Sequence, residues 1–225
     1  MEYERSLNMT RLRKPEIVQR ILQAGMVAIV RSDSAEKALS LAQACIAGGM
    51  TALEIAFTTP GTTDVITALR RQFGARVLIG AGTVLDPETA RAAILAGAQF
   101  IISPSLNPAT IRLCLRYQIP SMPGAMTPTE ILEALEAGAD IVKVFPGEAF
   151  GPPYVKAVLA ALPQAPLMPT GGVTLDNLHD WFAQGSVAVG IGGSLTAPGK
   201  EGDYNTVTLR AREFVKRMGQ VERQG

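Results

Sequence analysis

The protein is a chain of 225 residues with a formal net charge of +1, two cysteines and one histidine. This near-neutral balance, without a long basic or acidic run, predicts no nucleic-acid partner, and two cysteines predict no disulfide framework. No apolar run is long enough to span a bilayer, and the polar segment 1–14 does not resemble a signal peptide. We therefore expect a cytoplasmic protein with no membrane partner and no histidine-built metal site.

Amphipathic segments alternate with short runs rich in β-branched residues. The first amphipathic segment, 15–24, predicts an extra helix before the first strand. The strand-like runs then begin roughly 20 to 25 residues apart, at 27–31, 51–57, 76–80, 100–103, 120–123, 141–145, 167–170 and 187–191. Eight strand–helix units predict an α/β fold, a single (β/α)8 TIM barrel over residues 1–225 with an extra N-terminal helix and residues 1–14 peripheral.

Capping residues mark where several of these helices begin. Ser34, Asp86, Asn107 and Thr127 each precede an amphipathic segment, and the last three are followed by proline or Pro-Glu patterns typical of a first helical turn. Glycines at 48–49, 97 and 138 predict helix ends. The last helix is predicted over 209–218.

Lys143 is a lone cation within the apolar run 141–146, and Glu54 is the only charge in the run 51–57. Strand side chains alternate, so Lys143 shares a face with Ile141 and Phe145. A buried ammonium is costly unless it is paired or neutral. The two runs therefore predict either a structural ion pair or a lysine nucleophile whose neutral form burial favours, with Glu54 as its proton shuttle. The two residues alone leave both interpretations open.

Further polar residues gather at the carboxyl ends of the predicted strands, where barrels place their active sites. Arg31 ends the first strand, and Thr83 in the segment 79–84 offers a hydroxyl to a carboxylate or keto oxygen, although a simple turn fits that segment equally well. The seventh and eighth strands end in the glycine-rich loops 169–173 and 190–194. One such loop fits a tight turn, but two together at these strands favour a phosphate site.

Seven motifs, in order from about residue 27 to 195, resemble those of the bacterial 2-keto-3-deoxy-6-phosphogluconate (KDPG) and 4-hydroxy-2-oxoglutarate (KHG) aldolases. They are Leu53-Glu-Ile-Ala-Phe-Thr-Thr-Pro60, Gly80-Ala-Gly-Thr-Val-Leu85, Ile102-Ser-Pro104, Pro123-Gly124, Val142-Lys-Val-Phe-Pro146, Pro169-Thr-Gly-Gly172 and Gly190-Ile-Gly-Gly-Ser194.

The resemblance implies a class I, metal-independent aldolase, a lyase on a (β/α)8 barrel that assembles as a homotrimer. Such an enzyme cleaves KDPG, a phosphorylated keto acid, to pyruvate and glyceraldehyde 3-phosphate, and KHG to pyruvate and glyoxylate. It needs no cofactor, because the substrate forms a covalent Schiff base with a lysine.

The same resemblance assigns roles to individual residues. Lys143 looks like the Schiff-base lysine and Glu54 like the general acid/base. Many family members carry an arginine four residues after this glutamate, and the present chain has Thr58 there. Arg31 resembles the cation that replaces this arginine in another branch of the family. The implied substrate-binding residues are Arg31, Thr83, Pro104, Phe145 and Thr170, and the implied phosphate-binding residues are Gly171, Gly172, Gly193 and Ser194.

Four alternatives stay open at this point. Within the resemblance, the substrate is equally well the C4 epimer, 2-keto-3-deoxy-6-phosphogalactonate. A phosphosugar isomerase or epimerase would use the same phosphate loops with a base but no imine. A metal-dependent class II aldolase would need a divalent cation, and a non-catalytic phosphosugar-binding protein would keep Lys143 as a structural ion pair.

Overall fold

A computed structural model describes residues 14–221 as an α/β fold in which helices connect successive parallel strands. The peripheral segment predicted for residues 1–14 lies outside the described residues, apart from Lys14 at the start of the first helix. Within residues 14–221 no helix has the length and apolar character that crossing a membrane requires. The helices are α1 (Lys14–Ala24), α2 (Ala35–Ala47), α3 (Thr62–Phe73), α4 (Pro87–Leu95), α5 (Pro108–Tyr117), α6 (Pro128–Glu136), α7 (Pro152–Ala161), α8 (Leu178–Ala183), α9 (Gly193–Thr196) and α10 (Tyr204–Met218), with 3-10 segments at Gly147–Ala149 and Ala197–Glu201.

The strands pair in parallel within two curled sheets. They are β1 (Met26–Val30), β2 (Ala52–Ala56), β3 (Leu78–Gly82), β4 (Ile101–Ile102), β5 (Ser121–Met122), β6 (Gly124–Ala125), β7 (Val142–Val144), β8 (Leu167–Pro169) and β9 (Val189–Ile191). The six-stranded sheet has the order β5–β4–β3–β2–β1–β9, and the three-stranded sheet has the order β6–β7–β8. Pro123 alone separates β5 from β6, and one parallel bridge joins Thr170 to Gly190. The parallel α/β class is therefore confirmed.

Two hydrophobic clusters separate the strand residues by face. On β2, Leu53 and Ile55 join a cluster with the surrounding helices, whereas Ala52 belongs to a second cluster, here called the interior cluster. Because strand side chains alternate, the residue two positions after a member of the interior cluster points to the same side of the sheet as that member. The buried polar residues Glu54, Lys143 and Thr170 each follow an interior residue in this way. The interior cluster consists of Ile17, Ile21, Val27, Ala52, Leu78, Phe100, Ile102, Met122, Ile141, Met168 and Ala188.

Helix α1 packs against the amino ends of the strands. Its Ile17 and Ile21 are part of the interior cluster. The amine of Lys14, at its first position, lies 3.0 Å from the Asp140 carboxylate, and both side chains are about 15% exposed. Asp140 also accepts a hydrogen bond from the backbone N–H of Ser121, the first residue of β5. This helix therefore lies at the end of the sheets opposite the polar strand ends.

The strand ends differ from the predicted ones by one or two residues in most cases, and two strands differ in a way that has a structural cause. The sequence pattern predicts the third strand over 76–80, whereas β3 runs from Leu78 to Gly82. Its glycines remain in the strand because Phe100 and Glu54 fill the space that side chains would need there. The fifth strand, predicted over 120–123, is instead two segments on either side of Pro123. Proline has no N–H to donate, so the hydrogen-bond ladder is interrupted at that residue.

The predicted helix starts are confirmed by hydrogen bonds from backbone N–H groups to the capping side chains. Thr127 forms a complete capping box with Glu130. The last helix, predicted over 209–218, begins earlier, at Tyr204, because Asp203 caps it by accepting from the N–H of Thr206 at 3.0 Å. The confirmed caps are Ser34, Asp86, Asn107 and Thr127.

Candidate active site

Lys143 is the central residue of β7 and is buried. Its neighbours Val142 and Val144 join the cluster beneath the helices, whereas Ile141 belongs to the interior cluster. The lysine side chain therefore points inward, as the alternation of the run predicts.

Glu54 lies on β2, in the other sheet, and its carboxylate faces this amine. The Nζ of Lys143 and the Oε1 of Glu54 are 3.9 Å apart, and both side chains are almost fully buried. This distance is within the range of an ion pair but is too long for a direct hydrogen bond. The amine is thus attracted to the carboxylate without being locked to it. Both predicted roles of Lys143 require this proximity.

Gly82, on the neighbouring strand, makes room for Glu54. A Cβ built on Gly82 would lie 1.8 Å from Oε1 and 2.2 Å from Cγ of Glu54. Two residues earlier on β3, a Cβ built on Gly80 would lie 2.2 Å from the Phe100 ring. The two glycines therefore have different neighbours: Gly80 accommodates a core ring and Gly82 accommodates the carboxylate.

Arg31 follows β1 and reaches Thr83 at the end of β3. Its Nη2 donates a hydrogen bond to the Oγ1 of Thr83 at 3.4 Å. Thr83 has a φ of 56°, a left-handed conformation that is rare for a β-branched residue and clusters at functional sites. The loop after Arg31 is held by the N–H of Ser32, which donates to the buried Thr59 hydroxyl at 3.0 Å. The structure thus brings two predicted substrate-binding residues into contact.

Thr170 lies directly after β8 and is buried. Within the described part of the chain, its Oγ1 has no hydrogen-bond partner. A Cβ built on Gly190 would lie 2.3 Å from this oxygen, so the glycine leaves space for the hydroxyl. An unsatisfied buried hydroxyl costs roughly 1–3 kcal/mol, and a ligand that bonds to it would remove this cost.

A cleft of about 520 Å³ opens where β8 and β9 end. Gly171 and Gly172, with φ values of 99° and 71°, form its turn after β8. The hydroxyl of Ser194 donates to the backbone carbonyl of Val173 at 2.6 Å, which ties the turn after β9 to the turn after β8. The predicted site residues that line this cleft are Arg31, Phe145, Thr170, Gly171, Gly172, Gly193 and Ser194.

Phe145 and Pro104 connect the buried amine to its surroundings. The Phe145 ring lines the cleft, and its centroid lies 5.1 Å from the Nζ of Lys143. Pro104 packs against β6, because a Cβ built on Gly124 would lie 2.3 Å from its carbonyl oxygen. Gly124 is the register partner of Lys143. Both predicted residues therefore lie close to the lysine.

The remaining reactive residue types lie apart from these strand ends. Over residues 14–221, no group of three or more histidine, cysteine, aspartate or glutamate side chains is arranged to hold a metal ion. Cys45 and Cys114 are buried and unbridged, and burial raises the pKa of each thiol to about 12. His179 is exposed and Trp181 is buried.

A family model described as KDPG and KHG aldolase matches residues 17–209, a range that contains every predicted site residue.

The chain belongs to the KDPG and KHG aldolase family.

Curated relatives agree with this assignment. A 2-dehydro-3-deoxy-6-phosphogalactonate aldolase of Escherichia coli is 38% identical over 85% of this chain and 93% of its own length. A 2-dehydro-3-deoxy-phosphogluconate aldolase of Treponema pallidum is 37% identical over 90% of this chain and 98% of its own length. The relatives thus include aldolases named for each of the two C4 epimers.

A solved structure adds a chemical observation on another member of the aldolase family. The KDPG aldolase of Legionella pneumophila, with pyruvate captured at low pH as a covalent carbinolamine intermediate, superimposes with a TM-score of 0.79. It is 30% identical, and the match covers 87% of this chain and 96% of the Legionella chain.

Two charged residues that line the cleft of this chain were not among the sequence predictions. Glu148 and Lys200 both line the cleft beside the glycine-rich turns. Glu148 carried a weak signal, because it is the only charge between Val144 and Gly151, directly after the lysine strand. Lys200 carried none, because it stands among acidic neighbours in a polar segment that resembles an ordinary surface turn.

Proposed function

We propose that this chain is a class I aldolase, a lyase that cleaves KDPG to pyruvate and glyceraldehyde 3-phosphate through an imine on Lys143. The observation that carries the proposal is the buried Lys143 amine, 3.9 Å from the Glu54 carboxylate, next to a cleft lined by glycine-rich turns. Membership of the aldolase family favours this function over an isomerase, an epimerase or a binding protein. The covalent lysine mechanism requires no metal or other cofactor.

The first half of the reaction forms the imine. The neutral amine of Lys143 attacks the C2 keto group, and Glu54 transfers protons as the resulting carbinolamine loses water. Arg31 and Thr83, which contact each other at 3.4 Å, supply a guanidinium and a hydroxyl for the carboxylate of the keto acid. A guanidinium fits a carboxylate with two parallel hydrogen bonds, which orients the carbonyl towards the lysine.

The second half breaks the carbon–carbon bond. Glu54 removes the proton of the C4 hydroxyl, the C3–C4 bond breaks, and its electron pair moves into the protonated imine to form an enamine. The C4 aldehyde, glyceraldehyde 3-phosphate, leaves. Protonation of the enamine at C3 and hydrolysis of the imine then release pyruvate and restore the Lys143 amine.

The cleft supports a substrate with a second anionic group. Gly171, Gly172, Gly193 and Ser194 present backbone N–H groups near the carboxyl ends of β8 and β9, where parallel α/β folds commonly bind phosphate. The unsatisfied Thr170 hydroxyl lines the same cleft and is available to bond to a hydroxyl group of the substrate.

The galactonate epimer is the second candidate substrate. The Escherichia coli relative at 38% identity is named for it, and this chain has Thr58 where many family members carry an arginine, with Arg31 lining the cleft instead. The two substrates differ only in the configuration at C4. Comparing kcat/KM for the two purified epimers decides between them.

Trapping the imine tests the proposed mechanism. Incubation with pyruvate and borohydride should add one reduced pyruvyl group, and peptide mapping should locate it on Lys143. Lys143→Met should abolish both adduct and turnover, whereas Lys156→Met, at an exposed lysine of α7, should change neither. A folded protein that forms no adduct, or an active Lys143→Met variant, would overturn the proposal.

We further propose the finer architecture that the family resemblance implies: one domain, closed as a (β/α)8 barrel with α1 across its amino end, in a cytoplasmic homotrimer. The Thr170–Gly190 bridge and the single-residue break at Pro123 support closure, because they connect the two sheets on both sides. The two unbridged cysteines fit a reducing compartment. Native mass spectrometry tests the trimer.

A further inference from the structure

Three charged side chains line the cleft: Arg31, Glu148 and Lys200. Arg31 is directed towards the β3 side, where it donates to Thr83. The other two lie beside the glycine-rich turns, at the end of the cleft proposed to hold phosphate, here called the distal end. Their charges are opposite, so Lys200 attracts an anion bound at this end of the cleft and Glu148 repels it.

Glu148 lies directly against the turn after β8. It belongs to the 3-10 segment Gly147–Ala149 that follows the lysine strand. A Cβ built on Gly171 would lie 2.3 Å from its Oε2, and one built on Gly172 would lie 2.8 Å from its Cβ. The carboxylate is exposed and has no ion-pair partner within residues 14–221. A negative charge in this position repels any anion bound to the backbone N–H groups of the turn.

Lys200 lines the same cleft. It lies in the 3-10 segment Ala197–Glu201, which directly follows α9 and its glycine-rich turn. The preceding residue, Gly199, packs so tightly that a Cβ built there would lie 2.6 Å from Leu41 of α2. This contact fixes the backbone from which the lysine extends. Its amine is exposed, and no ion pair with it occurs in the part of the chain that the structure describes.

We propose that Lys200 and Glu148 determine the charge selectivity of the distal end of the cleft. Lys200 attracts the phosphate group of the substrate, and Glu148 opposes its second negative charge. This inference deepens the proposed aldolase function and rests on it. The group recognised is a phosphate monoester, which backbone N–H groups hold. Lys200 raises the affinity of the cleft for this group, and Glu148 lowers it.

The expected effects are moderate because both groups are exposed and screened by solvent and salt. Removing the positive charge should lower kcat/KM for a phosphorylated substrate by about five- to tenfold, and removing the negative charge should raise it by a similar factor. The kcat/KM for a substrate that lacks the phosphate should stay the same when either charge is removed.

The experiment compares Lys200→Gln and Glu148→Gln with wild type on KDPG and on unphosphorylated 2-keto-3-deoxygluconate, which differs only by the phosphate. Lys156→Gln on α7 provides a matched removal of an exposed lysine outside the cleft. We expect Lys200→Gln to lose activity on KDPG alone and Glu148→Gln to gain it. The ratio of kcat/KM for KDPG to kcat/KM for the unphosphorylated substrate should fall in the wild type as salt is added. In Lys200→Gln this ratio should depend less on the salt concentration.

Equal changes on both substrates, or no change from wild type, would overturn the charge assignment. Calorimetric binding of inorganic phosphate separates this outcome from failure of the aldolase proposal, because it requires no turnover. If wild type forms no pyruvate adduct but Lys200→Gln still weakens phosphate binding and Glu148→Gln strengthens it, the aldolase proposal fails and the charge assignment stands. Phosphate affinities that match wild type in both variants would refute the charge assignment whatever the enzyme catalyses.

Discussion

Gly82→Ala is the sharpest test of how the fold positions the Glu54 carboxylate, which we propose to be catalytic. The new methyl group would lie 1.8 Å from Oε1 of Glu54, and the nearest atoms it meets all belong to that side chain. Restoring an ordinary contact of 3.4 Å requires the carboxylate to move by about 1.6 Å. The substitution therefore perturbs Glu54 selectively, without removing any functional group.

A displacement of this size has a large effect on rate and a smaller one on stability. Misplacing a reacting group by about 1 Å costs roughly 100-fold in rate, so we expect kcat to fall at least about 100-fold, equivalent to about 2.7 kcal/mol of transition-state stabilisation. Overpacking a buried site typically costs about 1–3 kcal/mol of folding free energy. The variant should therefore fold and yet turn over poorly.

The assay measures pyruvate release from KDPG together with the free energy of unfolding in urea. Gly80→Ala is the matched control, because its methyl group would lie 2.2 Å from the Phe100 ring in the interior cluster and away from Glu54. It should lose stability while its folded molecules keep a kcat near that of wild type. Wild-type kcat in Gly82→Ala would refute the idea that the position of Glu54 limits the reaction.

Two further predictions concern stability and thiol chemistry. The N–H of Thr89 donates to Asp86 at 2.6 Å, and this bond keeps the pKa of Asp86 below its ordinary 3.8. The cap therefore contributes above pH 3.8, so Asp86→Ala should cost about 1 kcal/mol at pH 7 in urea unfolding, and the difference should vanish as the pH falls through the folded pKa. With a thiol pKa of about 12, roughly one molecule in 10⁴ is ionised at pH 8; native Cys45 and Cys114 should resist iodoacetamide and react only in urea, and rapid native labelling would contradict this.

Alternation along short strands was enough to predict the inward direction of Lys143 and Glu54. A lone charge in a run of apolar strand residues is informative because only one face of such a strand can hold it. The N-caps of Asp86 and Thr127 were predictable for a similar reason, since each hydrogen bond closes within a few residues of the chain. Features that depend on one strand or one turn therefore follow from the sequence.

Several features that depend on contacts between distant segments did not follow from the sequence. Gly82 lies outside the predicted strand and resembles a loop residue until Glu54 is seen to fill the space beside it. The charges at the distal end of the cleft were missed because a surface lysine and a cleft lysine have the same local sequence. In the structure, Gly199 packs against Leu41 and the lysine that follows it lines the cleft.

The division of the strands into two sheets has a mechanical consequence. Lys143 belongs to the middle strand of the three-stranded sheet, whereas Glu54 belongs to the six-stranded sheet. The two sheets meet at Pro123, which separates β5 from β6, and between β8 and β9, where a parallel bridge joins Thr170 to Gly190 and the N–H of Val187 donates to the Leu167 carbonyl at 3.0 Å. Any displacement of one sheet relative to the other would therefore change the separation of the Lys143 amine and the Glu54 carboxylate, which is 3.9 Å in this structure.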